Sequence, residues 1–342
     1  MARNPRSADV IEADLKVDSD RSVVVDFDDN KLLAPLFGEH DQNLARIEQK
    51  LGVSVSSRGN RVAISGDAWS TRVAQNVLED MYHRLQRGLE MASGDVDGAI
   101  RMAQSGSSTS KTDLEIVRTR KRDITPRSLN QSLYIRELEQ SDLVFGLGPA
   151  GTGKTYLAVA MGVAKLLSGV CDRIILSRPA VEAGERLGFL PGDIREKVDP
   201  YLRPLYDALY DMLPPEQVVK RLETGEIEVA PLAFMRGRTL ANSFVILDEA
   251  QNTTPVQMKM LLTRLGENSR LVVTGDLTQV DLPRGTRSGL EDAVKILQGI
   301  DGVSFVYFSD VDVVRHRLVT KVLQAYAALE ASRRESRDGD AD

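Results

Sequence analysis

Residues 148–155 read Gly148-Pro149-Ala150-Gly151-Thr152-Gly153-Lys154-Thr155. A glycine, four residues and then Gly-Lys-Thr is the spacing of a phosphate-binding loop. Its glycines let backbone N–H groups converge on phosphate oxygens with no Cβ in the way. Lys154 offers a point charge to β and γ phosphates, and Thr155 offers a hydroxyl to Mg2+. A helix starting at this point adds the positive end of its dipole. A second site is needed for metal and water. Phe244-Val-Ile-Leu-Asp248-Glu249 supplies it, as an apolar run that ends in two acids. Asp248 is expected to hold Mg2+ through a water, and Glu249 to orient or deprotonate the attacking water. Guanine-reading sites carry Asn-Lys-x-Asp. Here Asn30-Lys31 lacks the aspartate and lies far from the loop, so ATP is the expected nucleotide.

These residues need a scaffold. Leu143–Leu147, Arg173–Ser177, Phe244–Leu247, Arg270–Thr274 and Val303–Phe308 are short apolar runs that read as strands. Helical patterns separate them: Thr155–Leu167, segments up to about residue 224, and Asp312–Ala331. Continuous apolar strands alternating with helices predict an α/β fold whose parallel sheet is buried on both faces. The region before it reads differently. Val23–Val25 is a β-branched strand, Leu32–Phe37 a helical turn, and residues 42–51 a helix on Leu44, Ile47 and Leu51. Val53 and Val55 alternate with serines. Arg58-Gly59-Asn60 turns the chain into a second strand, and Val73, Val77, Met81 and Leu85 mark a long helix. The expected division is a flexible arm over 1–20, an α+β domain over 21–90, a linker over 91–128, the α/β domain over 129–330 and a disordered tail over 331–342. The linker is Ser/Gly-rich at first and locally basic later, with six basic against three acidic residues over 111–127.

Composition narrows the class. Lys plus Arg number 44 against 50 Asp plus Glu, a net charge of −6, which excludes a bulk nucleic-acid coat and leaves any nucleic-acid site as a local patch. Cys171 is the one cysteine, so no internal disulfide is possible, as expected of a reducing, cytoplasmic setting. The basic start has no apolar run behind it, so a signal peptide is not expected. The longest apolar stretch, Tyr156–Val170, is broken by Lys165, so no membrane span is expected. His40, His83 and His316 lack partners at ligand spacing, so a zinc site is not expected either.

The two sites extend into a longer pattern. Asp248-Glu-Ala-Gln251 resembles motif II of superfamily 1 helicases. Thr274-Gly-Asp-Leu-Thr-Gln279 resembles their motif III, whose glutamine senses the γ-phosphate. Asn130-Gln131 is placed like their adenine-reading glutamine, and Ser177-Arg-Pro-Ala180 like the motif Ia that touches the strand. Glu182–Asp193, Asp199-Pro-Tyr-Leu-Arg-Pro204, Arg236-Gly-Arg-Thr239 and Asp312-Val-Val-Arg-His316 extend the match over about residues 120–327. Together these resemble the PhoH-like ATPase family. The resemblance implies a RecA-like P-loop NTPase core that binds ATP and Mg2+, a link to RNA metabolism as a helicase or remodeller, and hexameric rings. It also suggests a YbeY-type endoribonuclease as a partner. In this reading Lys154, Glu249, Gln279 and Arg315 are catalytic and Gln131 reads adenine. One core alone lacks a second that could supply an arginine finger, so a neighbouring subunit is expected to lend one. Arg315 is the first candidate, followed by Arg236, Arg238 and Arg178. The last three are also candidates for contacts with single-stranded RNA.

The N-terminal region resembles a KH-like RNA-binding domain in its element order. A KH loop is Gly-x-x-Gly. Here the position reads Gly38-Glu39-His40-Asp41, without the second glycine and with two acids where phosphates would pass. Residues 1–90 carry 12 basic and 15 acidic groups, which also suits a degenerate KH fold used for protein contacts. Two other readings stand beside the ATPase: a nucleotide-regulated RNA-binding or oligomeric switch, and a P-loop kinase acting on a small molecule.

Overall fold

A computed structural model describes residues 21–105, 115–179, 194–283 and 285–313, together with 319 and 322. The chain forms two units, one up to Thr109 and one from Ser110 onward.

In the first unit, β1 (Arg21–Asp26), α1 (Leu33–Phe37), α2 (Gln42–Leu51), β2 (Ser54–Arg58), β3 (Arg61–Gly66) and α3 (Ala68–Gln86) follow in the expected order. The three strands form one antiparallel sheet with β3 in the centre. The valines and isoleucine on one face, Val25, Val62 and Ile64, meet Leu44, Ile47, Val77 and Met81 of the helices in one core. Asp67 caps α3 by accepting from the backbone N–H groups of Trp69 and Ser70. The loop at Gly38 is exposed over Glu39–Asp41, and His40 and Asp41 take left-handed backbone angles. Gly38 itself is required by packing. A Cβ there would lie 2.8 Å from the Asn43 side chain, whose amide donates to the carbonyls of Pro35 and Leu36.

The linker expectation over 91–128 is corrected at both ends. Ser93–Gln104 form a helix, α4, and its Val96, Ala99 and Ile100 are buried in the core of the first unit. Its Gly94 and Gly98 hid the apolar stripe in a stretch that reads as flexible by composition. Arg46 of α2 holds Asp97 of α4 in a two-pronged ion pair, Nε–Oδ1 at 2.7 Å and Nη2–Oδ2 at 2.5 Å. At the other end, Val117–Arg118 (β4) pairs with Asp123–Ile124 (β5), and Val117 and Ile124 enter the core of the second unit. Two of the basic residues there are committed. Lys121 donates to the Tyr210 carbonyl, and Arg122 pairs with Asp211.

The Arg46 pair yields a pH prediction. The guanidinium beside Asp97 holds that carboxyl below its ordinary value, with Lys50 and Arg101 adding to the effect. A depressed folded value means the contribution is complete above the unfolded value of about 4. It is lost as the pH falls through the folded one. Asp97→Asn is expected to weaken the first unit by about 1 kcal/mol at neutral pH, since the pair is half-buried, and to flatten its acid limb. Hydrogen exchange at amides of α2 and α4 across pH 3–7 checks this.

The second unit runs α5 (Leu129–Gln140), β6 (Leu143–Leu147), α6 (Lys154–Leu167), β7 (Arg173–Arg178), α7 (Ile194–Met212), α8 (Pro215–Thr224), β8 (Ile227–Pro231), β9 (Ser243–Leu247), α9 (Pro255–Leu262), β10 (Arg270–Gly275), α10 (Gly289–Leu297) and β11 (Val303–Tyr307). The six strands β6 to β11 make one all-parallel sheet in the order β11-β6-β10-β9-β7-β8. One face packs on α5, α6, α7 and α8 through residues such as Tyr134, Leu157, Leu205 and Val218. The other packs on α9 and α10 through Met258, Leu261 and Leu290. This is the α/β core expected from the apolar runs, with β8 as an added edge strand whose alternating sequence gave no apolar run. The strand after β6 lies three places away, with β10 and β9 between. Helix α6 follows β6 onto one face of the sheet and α10 follows the neighbouring β10 onto the other, and such switch points leave a crevice at the carboxyl ends of the strands. Among the described residues no helix is long and apolar enough to cross a membrane. The arm 1–20, the stretch Glu182–Asp193, Arg315, most of the expected helix Asp312–Ala331 and the tail 331–342 lie outside the described residues.

Candidate functional site

The loop after β6 lies in that crevice. Gly148 has φ +137°, and its N–H donates to the Gly275 carbonyl at the end of β10. A Cβ on Gly148 would stand 2.3 Å from the Phe308 carbonyl oxygen, just past β11. Gly151 and Gly153 also have positive φ, and Gly153 caps the amino end of α6. The loop thus turns its backbone around a concave space at a helix start, which suits an anion. Lys154 is buried. Its ammonium donates to the carbonyls of Gly148 at 2.6 Å and Pro149 at 2.8 Å, and lies 3.5 Å from the Thr152 hydroxyl. The lysine charge is therefore held over the loop that would wrap a phosphate.

Thr155 of α6 donates its hydroxyl to Asp248 Oδ1 at 2.6 Å, and Thr274 of β10 donates to the same oxygen at 2.7 Å. Asp248 is buried at the end of β9. One buried carboxylate beside one threonine hydroxyl suits Mg2+, which binds through one or two carboxylates plus substrate phosphates rather than in an all-protein cage. Among the described residues no group of three His, Cys, Asp or Glu side chains could hold a metal by itself. The donor set therefore fits Mg2+ arriving with a nucleotide.

Glu249 takes a left-handed conformation, φ +53° and ψ +40°, uncommon for a long side chain and typical of functional turns. Both its carboxylate oxygens have donors: Arg178 Nη2 lies 3.0 Å from Oε1, and Gln251 Nε2 donates to Oε2 at 2.5 Å. Gln251 in turn accepts from the Asp276 N–H. Gln279 donates to Asp276 Oδ2 at 2.8 Å, so the expected sensor is tied to the β10 loop that also carries the Gly275 carbonyl.

Gln131 is buried on α5 and acts as a brace. Its oxygen accepts from the Arg127 N–H at 2.7 Å, and its nitrogen donates to the Thr152 carbonyl at 2.9 Å. As found, it holds the loop, and an adenine contact would require it to let go of Thr152. Gln131→Ala removes the donor from that buried carbonyl, worth about 1–3 kcal/mol. The expected result is nucleotide binding weakened about tenfold, read by titration with a fluorescent nucleotide.

Sequence reasoning missed Tyr134, and it gave Asn130 and Ser177 no role of their own. Tyr134, one turn beyond Gln131, is fully buried against Gly146, where any Cβ would lie 2.9 Å from its ring and hydroxyl, and it stacks edge-on with Phe308. Burial, and then the nearby Asp248 charge, push the phenol well above its ordinary pKa, so it stays neutral. Its hydroxyl and that of Ser177 are buried without a hydrogen-bond partner among the described residues. Asn130, beside Gln131, donates to buried Asp312 at 2.9 Å, tying α5 to the turn after β11. The available signals were the helical i, i+3 spacing of Gln131 and Tyr134 and the small residue Gly146 inside an apolar strand.

Lys154, Thr155, Asp248, Glu249, Gln131, Gln279 and Arg178 come together. Two arginines do not join them. Arg238 is held by Glu228 of β8 through contacts of 2.6 and 2.7 Å, which raise its pKa further, and Arg236 is exposed.

The family model described as "PhoH-like protein" matches residues 123–327. A PhoH-like protein of Bacillus subtilis is 50% identical over 295 residues, covering 85% of this chain and 92% of that protein. One from Mycobacterium tuberculosis is 48% identical over 335 residues, covering 96% and 94%. Protein PhoH of Escherichia coli is 48% identical over 211 residues, 60% of each chain.

Proposed function

The chain belongs to the PhoH-like protein family, and on that premise we propose that it is a Mg2+-dependent ATPase that acts on RNA. The observation that carries this reading is the convergence of Lys154, Thr155, Asp248 and Glu249 at the carboxyl ends of β6 and β9. The loop amides and Lys154 bind and orient the phosphates. Thr155 and Asp248 would hold Mg2+, which neutralises phosphate charge when bound. Glu249 positions water for attack on the γ-phosphorus and accepts its proton, with ADP as the leaving group. Gln251 links the β10 loop to that carboxylate, and Gln279 braces the loop at Asp276. The KH-like element order of the first unit supports RNA as the partner. A homo-oligomer, with an arginine lent between subunits, belongs to the same proposal.

The test is steady-state ATP hydrolysis with and without single-stranded RNA. Lys154→Ala is expected to reduce turnover by about a hundredfold or more. Stimulation by RNA in the natural chain, absent in the variant, supports the whole reading. Hydrolysis indifferent to RNA supports the ATPase and removes the RNA. ATP consumption only with an added small acceptor supports a kinase.

A further inference from the structure

Resting on the ATPase reading, we propose that Arg178 is a latch that restrains Glu249 and that a phosphate group opens. Arg178 ends β7, one strand over from the acids that end β9. Its guanidinium faces both of them: Nη2 is 3.0 Å from Glu249 Oε1, and Nε is 3.9 Å from Asp248 Oδ2. Its remaining arm, Nη1, donates to the Tyr201 carbonyl of α7 at 2.8 Å. Glu249 is thereby gripped from two sides, since Gln251 holds its other oxygen and is itself anchored on the Asp276 N–H. To turn toward a water, the carboxylate has to leave a donor. Gln251 is buried and tied at both ends, so Arg178 is the partner able to yield.

The chemistry of the competitor follows from the arginine. A guanidinium fork binds phosphate oxygens as readily as a carboxylate, in the same two-pronged geometry. The Arg178 side chain is 22% exposed and that of Glu249 is 38% exposed, so an incoming phosphate can reach the pair. Two sources present that group: the phosphodiester of a nucleic-acid strand and the γ-phosphate of the nucleotide itself. Either one, drawing Arg178 away, frees the base only when phosphate is present. Where the strand is the source, the resting enzyme is protected from idle turnover.

The experiment uses the full chain, ATP and poly(U), with Arg178→Gln and Arg178→Lys. Glutamine removes the charge. Lysine keeps it without the fork, and it covers the case in which Arg178→Gln lowers the melting temperature. Breaking a partly exposed ion pair is expected to raise RNA-free kcat about fivefold in Arg178→Gln, with Arg178→Lys between it and the natural chain. If the strand is the source, stimulation by poly(U) falls toward onefold in Arg178→Gln. If the γ-phosphate is the source, it draws Arg178 away for only part of each turnover, so RNA-free kcat still rises in Arg178→Gln, the stimulation ratio is unchanged, and the preference for binding ATP over ADP weakens. An RNA-free kcat that stays the same or falls in both variants overturns the latch and makes Arg178 a transition-state contact or a strut. A natural chain and variants that all fail to hydrolyse ATP overturn the ATPase reading, and the latch with it. Turnover in Arg178→Gln alone supports both.

Discussion

Glu249→Gln is expected to bind ATP about as tightly as the natural chain and to hydrolyse it about 10²- to 10⁴-fold more slowly. The substitution keeps the size, so the left-handed turn at residue 249 has no steric reason to change, and its one amide oxygen can still accept from either Arg178 or Gln251. It removes the proposed proton acceptor. The Lys154 cradle and the Thr155–Asp248–Thr274 cluster are untouched, and these are the groups proposed to bind phosphate and metal. Binding measured by nucleotide fluorescence and turnover measured by phosphate release should therefore separate. A variant that loses both together would show that Glu249 shapes the pocket rather than acts on water. A variant that keeps its turnover would move the base elsewhere.

Gly148→Ala is expected to abolish nucleotide binding and to lower stability by about 2–3 kcal/mol. Two penalties meet at this residue. Its φ of +137° is open to glycine and strained for alanine. Its Cβ would also stand 2.3 Å from a backbone oxygen, that of Phe308, which cannot swing aside like a side chain. Phe308 is itself held by its N–H to the Leu147 carbonyl at 2.7 Å and by the ring of Tyr134. Relief would have to pull β11 off β6 at the mouth of the cradle. Gly225→Ala is the matching control. That residue has φ +76° with nothing within 4 Å of its Cβ, so only the backbone strain of about 1 kcal/mol applies and nucleotide binding should persist. Melting temperatures and ATP titrations of the two variants, side by side, decide whether the crowding at Phe308 is what Gly148 answers.

Both predictions rest on residues that lie far apart along the chain. The loop after β6 was legible as a candidate phosphate cradle because its pattern is local: eight consecutive residues carry glycine, lysine and threonine at a fixed spacing. The two acids of β9 were readable for the same reason, since a buried strand must be apolar until it ends. The central strands were legible as apolar runs, because burial on both faces leaves no room for alternation. Leu143–Leu147 and Phe244–Leu247 are buried at every position. The edge strand β8 carries Glu228 and ends in Pro231, so it gave no such run. Helix α4 was hidden by its glycines, which argue for flexibility until a core forms around Val96 and Ile100.

By itself, the sequence determined which groups could handle phosphate, metal and water, because loop chemistry and strand ends are written in neighbouring residues. Only the tertiary structure decided what surrounds them. Register in the parallel sheet sets Thr274 beside Asp248, a pairing between positions 26 residues apart. Packing of α5 turns Gln131 into a brace and seats Tyr134 over Gly146. The lateral order of the strands brings Arg178 to Glu249 and leaves Arg238 with Glu228. An arginine looks the same in every motif, and the carboxylate it meets is fixed by which strands lie side by side, which no local pattern encodes.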